Sequence, residues 1–331
     1  MTTFNNESFK KARHLSYSVI NNDFVGQPYR MAIIDSFLYL IDGSRVMDSI
    51  VHLFDIKNNT YNGTVIPRGP GPNELHSIGE ICSSIDNKTI WGDDITSRKW
   101  VGFDKEMLIQ TKQAVVKQKI QFHKSMIYVD DPVWISDTSF IALDMSSYKE
   151  RFYILKRNLD NILPVRNPYF HFNENIPKLI LSDIFSTKMS VKPDKSKIVL
   201  AGRYFDCLEF YSIDGVFLKI VKGPDRNFIF EYNEKRSESA NTVIKTDKTR
   251  RAYLDIKSTD NRIYASYSGK ARGDSSHYSF SNLIYTFDWD GNPLEKYVLD
   301  CTIGGFDVDP SDQMIYAIKE EDFSIICFDI R

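Results

Sequence analysis

Six copies of one hydrophobic pattern, about 55 residues apart, restrict what this chain of 331 residues can fold into. Each copy is a short apolar run, a turn of Asp, Ser, Pro, Asn or Lys, and an apolar pair opening a second run. The copies span 31–42, 81–94, 133–144, 190–202, 254–267 and 306–319. Their second runs begin at Leu38, Ile90, Phe140, Ile198, Ile263 and Ile315, at intervals of 52, 50, 58, 65 and 52 residues. Val, Ile, Tyr, Phe and Trp around turn-forming residues read as a β-hairpin each time.

A third run follows each hairpin, as in VHLFDIKNNT and CLEFYSIDG, and several end in the residues that close a turn. A fourth is visible at 62–67 and 216–223. Four strands repeated six times predict an all-β, six-bladed β-propeller with four-stranded antiparallel blades, a single domain over 1–331. A two-sheet sandwich lacks so long a period, and an α/β fold needs helical runs between its strands. The sixth copy stops after its third strand, at Ile330–Arg331. An apolar segment at 14–20 has no repeat of its own and is expected to complete the last blade and close the ring, removing an open edge. Residues 223–252 break the rhythm and are expected to leave the sheet, in part as helix. The Gly/Ser-rich stretch 268–281 reads as an exposed hairpin tip.

Composition narrows the partners. Forty-two Lys and Arg against 44 Asp and Glu give a net charge of −2, with no electrostatic case for nucleic acid. Twenty-two Phe, 18 Tyr and 4 Trp supply a large core and exclude wholesale disorder. Cys82, Cys207, Cys301 and Cys327 form neither a disulfide framework nor a spaced zinc motif. No apolar run reaches the ~18 residues of a transmembrane segment. The N-terminal MTTFNNESFKKARHLSYSVI has no apolar core after its basic residues, so it is not read as a secretory leader. A monomer is expected.

The segments PYRMAIIDSFLYLID, HLFDIKNNTYNGTVIPRGPGPNEL and IVLAGRYFDCLEFYSIDGVFLKIVKGPD together resemble bacterial TolB-like six-bladed β-propellers over essentially the whole chain. RGPGPNE looks like the Gly-Pro-rich loop that follows the first blade in such proteins. The resemblance implies the propeller fold and an exported or lipoprotein-type protein of undefined role, periplasmic or at the cell surface. With no leader visible in the chain as given, a cytoplasmic location is the alternative.

Local chemical motifs are few. Arg68-Gly69-Pro70-Gly71-Pro72-Asn73-Glu74 lacks the third glycine of a dinucleotide loop, and its two prolines remove backbone donors. It reads as a connection between blades in which Arg68, Asn73 and Glu74 are candidate ligand contacts. Asp288-Trp289-Asp290-Gly291-Asn292 places its glycine two positions too early for a calcium loop and reads as a hairpin turn. The six histidines form no metal-binding spacing. One constellation remains. Eight residues before their anchors stand Arg30, Asp255 and Asp307, with Glu80 ten before Ile90. Near the start of innermost strands these side chains would line the central channel, where carboxylates could bind a Ca or Mg ion. The leading expectation is a non-catalytic binding module without a cofactor, offering a propeller face to a protein, peptide or glycan. The alternative is a metal-dependent, lactonase-like hydrolase or lyase at the channel mouth.

Overall fold

A computed structural model describes residues 2–20, 26–44, 47–123, 126, 129–173, 175–225, 230–236, 241–274 and 277–331. An N-terminal arm carries β1 (Thr2–Thr3), β2 (Lys11–Leu15) and β3 (Tyr17–Val19). The first four-stranded unit is β4 (Pro28–Ile34), β5 (Phe37–Asp42), β6 (Ser49–Asp55) and β7 (Thr60–Pro67). The second is β8 (Ile81–Ser83), β9 (Thr89–Asp94), β10 (Lys99–Asp104) and β11 (Val116–Gln121), with α1 (Lys105–Thr111) between the last two. The third is β12 (Val129–Ser136), β13 (Ser139–Asp144), β14 (Glu150–Lys156) and β15 (Ile162–Arg166). After α2 (Lys178–Ile184) comes the fourth: β16 (Thr187–Val191), β17 (Lys197–Gly202), β18 (Cys207–Ser212) and β19 (Phe217–Lys222).

A separate hairpin of β20 (Tyr232–Arg236) and β21 (Asn241–Lys245) precedes the fifth unit. That unit is β22 (Tyr253–Ser258), β23 (Ile263–Tyr267), β24 (Ser281–Phe287) and the start of β25 (Pro293–Val308). The end of β25 is the inner strand of the sixth unit, with β26 (Met314–Lys319) and β27 (Ile325–Asp329). From the arm, β3 pairs antiparallel with β27 through Tyr17 and Phe328, Ser18 and Cys327, and Val19 and Ile326.

Strand alternation explains the packing. Successive side chains of a strand point to opposite faces, so the second strand of each unit feeds two neighbouring interfaces. Leu38 and Leu40 of β5 pack with Tyr316, Ile318 and Ile325 of the sixth unit, whereas Tyr39 and Ile41 pack with Ile81, Ile90 and Val101 of the second. In β13, Phe140 and Ala142 join Trp91 and Trp100 on one side, and Ile141 and Leu143 join Ile198 and Leu200 on the other. Six apolar clusters thus lie between consecutive units, including one between the sixth and the first. This is an all-β propeller.

Three expectations are refined. The segment 14–20 is divided between two strands. His14 and Leu15 belong to β2, which pairs parallel with β25 on the fifth unit, and only 17–19 pair with β27. Upstream, β1 pairs parallel with β19 of the fourth unit, so the arm crosses three units. Among the described residues the excursion at 223–252 contains the β20–β21 hairpin and no helix; residues 226–229 and 237–240 lie outside them, as do 275–276 of the Gly/Ser-rich stretch. Helix falls instead at α1 and α2. In α1, Asp104 caps the N-terminus through the Met107 N–H, Lys112 ends the helix in the left-handed region, and Leu108 is buried among the second unit's apolar residues.

Candidate functional site

The inner hairpins differ in length, and this sets which side chains meet at the channel. The anchors Leu38, Ile90, Phe140, Ile198, Ile263 and Ile315 pair with Ile33, Ser83, Trp134, Val191, Ser258 and Val308. Three residues before each partner stand Arg30, Glu80, Asp131, Lys188, Asp255 and Gly305. Every unit therefore contributes one residue to a ring at the face where the inner strands begin, here called the upper face. One residue before each partner, two steps further along the same strand face, come Lys257 and Asp307. Asp255 and Asp307, expected at one level, stand at different ones because their hairpins differ by two residues.

The ring is held by alternating charge. Arg30 Nη1 lies 3.4 Å from both Glu80 Oε2 and Asp131 Oδ1. Lys188 Nζ lies 3.1 Å from Asp131 Oδ2 and 3.9 Å from Asp130 Oδ2, and Lys257 Nζ is 3.2 Å from Glu80 Oε1. Asp307 accepts the Ile33 N–H at 2.8 Å, which joins the sixth unit to the first. At Gly305 a Cβ would stand 2.8 Å from the Tyr29 carbonyl oxygen, so the sixth ring position has no room for a side chain. Asp255 accepts the Ile256 N–H at 2.9 Å.

Burial and pairing pull the carboxyl groups apart. Burial pushes Asp131 up, but the charges of Lys188 and Arg30 outweigh it and hold the carboxyl below its usual range. Burial, with the Asp131 charge beside it, pushes Asp130 up. Glu80 and Asp307 are also raised by burial, against the attraction of Lys257. Asp93 behind the ring is driven well above the usual carboxylate range by burial and by Asp130, and accepts the Glu80 N–H. Burial would lower Lys257, but Glu80, Asp255 and Asp307 hold it above its ordinary value. Arg30, Lys188 and Lys257 thus stand among the carboxyl groups of Glu80, Asp130, Asp131, Asp255 and Asp307. Among the described residues no three His, Cys, Asp or Glu side chains converge in a way that could hold a metal ion.

A second feature of the upper face is aromatic. Phe170, Phe172, Phe185 and Phe205, none fully buried, pack together with centroid distances of 4.9–6.4 Å. Leu179 of α2 is exposed nearby in sequence. These residues come from the β15–β16 connection and the β17–β18 turn, both on the upper face.

The profile of the TolB-like 6-blade propeller-like family matches residues 4–311. The chain belongs to that family. Among solved structures, this TolB-like propeller is similar to a DUF4221-family member from Bacteroides vulgatus, at TM-score 0.61 and 11% identity, covering 96% of each chain. It is similar to an exported protein from Bacteroides fragilis at TM-score 0.55 and 10% identity, over 99% of each chain. A virginiamycin B lyase from Staphylococcus aureus aligns at TM-score 0.52 and 11% identity, over 96% of this chain and 99% of the lyase. At such identities the likeness is one of fold. No curated protein matches the chain in sequence.

The Gly-Pro-rich loop at 68–74 is folded on itself. Arg68 donates from Nη2 to the carbonyls of Asp42 (3.2 Å) and Ser44 (3.0 Å), and from Nη1 to that of His76 (3.3 Å). Glu74 accepts the Gly71 N–H at 2.8 Å, and a Cβ at either Gly69 or Gly71 would strike its carboxylate. Asn73 accepts the Val116 N–H at 3.3 Å, tying the loop to β11. Arg68 thus holds the loop to the first unit, Asn73 ties it to the second, and Glu74 closes it on itself. Asp131, Lys188 and Lys257 were missed in the sequence, although pairing register would have placed them. The Asp288 carboxylate accepts the N–H groups of Asp290 and Asn292 and Gly291 has φ +69°, a hairpin turn between β24 and β25. His52 is fully buried, with Nε2 2.8 Å from Asp42 and Nδ1 2.8 Å from the Tyr61 hydroxyl.

One buried carboxyl gives the propeller a pH-dependent stability. Asp206 Oδ2 accepts the Asp225 N–H at 2.6 Å and the Tyr267 hydroxyl at 3.3 Å, while Oδ1 is buried with no hydrogen-bond partner among the described residues. Burial pushes its pKa up to about 8 against the Tyr267 hydrogen bond and the Arg250 charge. The folded chain therefore holds a proton that the unfolded carboxyl has lost above about pH 4, so this group's contribution falls as pH rises toward 8. Melting curves from pH 5 to 9 should show Asp206→Asn gaining on the wild type as pH rises and levelling above 8. Parallel profiles would contradict the assignment.

Proposed function

We propose that this TolB-like propeller is a non-catalytic binding module that receives a protein, peptide or glycan partner on its upper face, in the periplasm or at the cell surface. The half-buried cluster of Phe170, Phe172, Phe185 and Phe205 carries this reading. Aromatic side chains left partly exposed and rigidly packed are the composition of an interface core. The paired charges of the ring supply a polar floor beside them. The exported Bacteroides fragilis neighbour supports the compartment. Closure of the ring by the arm, the finer reading of the β3–β27 pairing, would give that face a fixed geometry.

No helix among the described residues is long and apolar enough to cross a membrane. The test is capture from a cell-envelope extract of the source organism with the wild type, with Phe172→Asp, and with Asp160→Lys on the opposite face. Partner recovery should fall at least about tenfold for the Phe172 variant, since an interface anchor contributes ~2 kcal/mol or more. Equal recovery by the wild type and Phe172→Asp, or loss only with Asp160→Lys, would overturn the proposal.

A further inference from the structure

Arg203 follows β17 and Arg251 precedes β22, and the Ala252 N–H donates to the Arg203 carbonyl at 2.8 Å, so the two residues adjoin between the fourth and fifth units. Both guanidinium groups stand over the ring of Tyr204, with Arg203 Cζ at 6.0 Å and Arg251 Cζ at 5.9 Å from its centroid. Lys245 Nζ of β21 is 4.9 Å from the same centroid. Three cations therefore share one aromatic residue that is 7% exposed. Arg251 also stacks on Tyr278 at 5.8 Å and donates from Nη1 to Ser279 Oγ at 2.8 Å.

The two arginines are incompletely compensated. Arg203 Nε and Arg251 Nε are both buried with no hydrogen-bond partner among the described residues. Burial, and next the charge of Arg203, push the pKa of Arg251 down. The nearby acids are otherwise engaged: Asp183 is ion-paired with Lys245, and Asp130, whose carboxyl feels Arg203, lies beside Lys188. A buried N–H without an acceptor and a like charge at close range both destabilise. Both residues keep part of their surface exposed. An oxyanion would supply acceptors for both forks together with the missing negative charge.

We propose that Arg203 and Arg251 form a binding site for an oxyanion group, a phosphate, sulfate or carboxylate carried by the ligand, with Lys245, itself paired to Asp183, at its edge. The proposal deepens the reading of the upper face as a recognition surface and rests on it for biological meaning. An ion titration needs no macromolecular partner, so its failure and the failure of partner capture are separate results.

The test is thermal unfolding and calorimetry of the full chain with sodium phosphate, sulfate and glucuronate at constant ionic strength in chloride. At least one anion should bind saturably and raise Tm by about 3 °C when near-saturating. Preference for phosphate or sulfate over glucuronate would assign a phosphorylated or sulfated ligand, and the reverse an acidic sugar or carboxylate. Arg203→Gln and Arg251→Gln should each weaken binding at least about tenfold, the scale of a charge-assisted hydrogen bond. Arg272→Gln, an exposed neighbour that donates to the Lys245 carbonyl, should bind as the wild type does. In chloride alone both site variants should melt at or above the wild-type temperature, because each relieves a buried charge. No saturable response to any of the three anions, a response retained in both variants, or a fall of several degrees in chloride for both would overturn the proposal.

Discussion

Deletion of residues 1–20 is expected to abolish cooperative unfolding, or to lower Tm by far more than loss of a surface segment would. The arm is built into three units: β1 pairs with β19 of the fourth, β2 with β25, and β3 with β27. Phe4 and Phe9 are buried between the fourth and fifth units, with Phe9 stacked on Tyr285 at 4.7 Å and Phe4 edge-on to Phe287 at 5.2 Å. Leu15 and Ile20 are buried in the next two interfaces. Four large apolar side chains at about 1.5–3 kcal/mol each amount to roughly the whole net stability of an ordinary domain. Phe4→Ala and Phe9→Ala should each cost about 3–5 kcal/mol. A truncated chain melting within 2 °C (about 1 kcal/mol) of the full one would show that the arm only decorates the ring.

Glu209→Ala is expected to cost about 3–5 kcal/mol, because it strands a buried guanidinium. Arg151 and Glu209 join the third and fourth units through three N–H···O contacts of 2.6–3.2 Å, with side chains 3% and 0% exposed. Asn167 Nδ2 and the Tyr211 hydroxyl also donate to Glu209 Oε2, at 2.8 and 2.7 Å, and Arg151 Nη1 donates to the Phe185 carbonyl at 2.7 Å. The charge of Glu209 outweighs the burial that would otherwise lower Arg151 and holds its pKa up. Arg151→Met with Glu209→Leu should recover part of the loss, because the penalty lies mainly in the unpaired charge. Denaturant unfolding of the single and double variants reads this directly. A Glu209→Ala cost below 1 kcal/mol, about the level of an exposed pair, would contradict it.

The fold was legible because short continuous apolar runs separated by turn residues mark strands buried on both faces. Leu38–Ile41 and Phe140–Leu143 show it plainly, each strand serving two apolar clusters. The β20–β21 hairpin was not legible, since YNEKR and NTVIK lack the continuous apolar run of a core strand. At the channel, a fixed offset of eight residues found Arg30 and Asp255 but displaced Asp307 by one level and passed over Asp131 and Lys188. The hairpin partners lie 5, 7, 6, 7, 5 and 7 residues before their anchors, so register follows pairing rather than count. Asp131 adds a second irregularity, sitting in a bulge of β12 with φ +50°. The ligand-contact expectation for Arg68, Asn73 and Glu74 came from a Gly-Pro-rich string, whose folding around the Glu74 carboxylate becomes visible only in three dimensions.

The proposed binding role makes the charge-paired residues at the channel part of a recognition surface rather than an open coordination site. Calorimetric titration with Ca²⁺ and Mg²⁺, on the wild type and on Glu80→Gln, tests it most directly. Arg30, Lys188 and Lys257 already hold Glu80 and Asp131, so no saturable heat is expected for either ion at millimolar concentration. A 1:1 isotherm in the wild type that disappears in Glu80→Gln would contradict the account and turn the reading to a metal-dependent hydrolase or lyase.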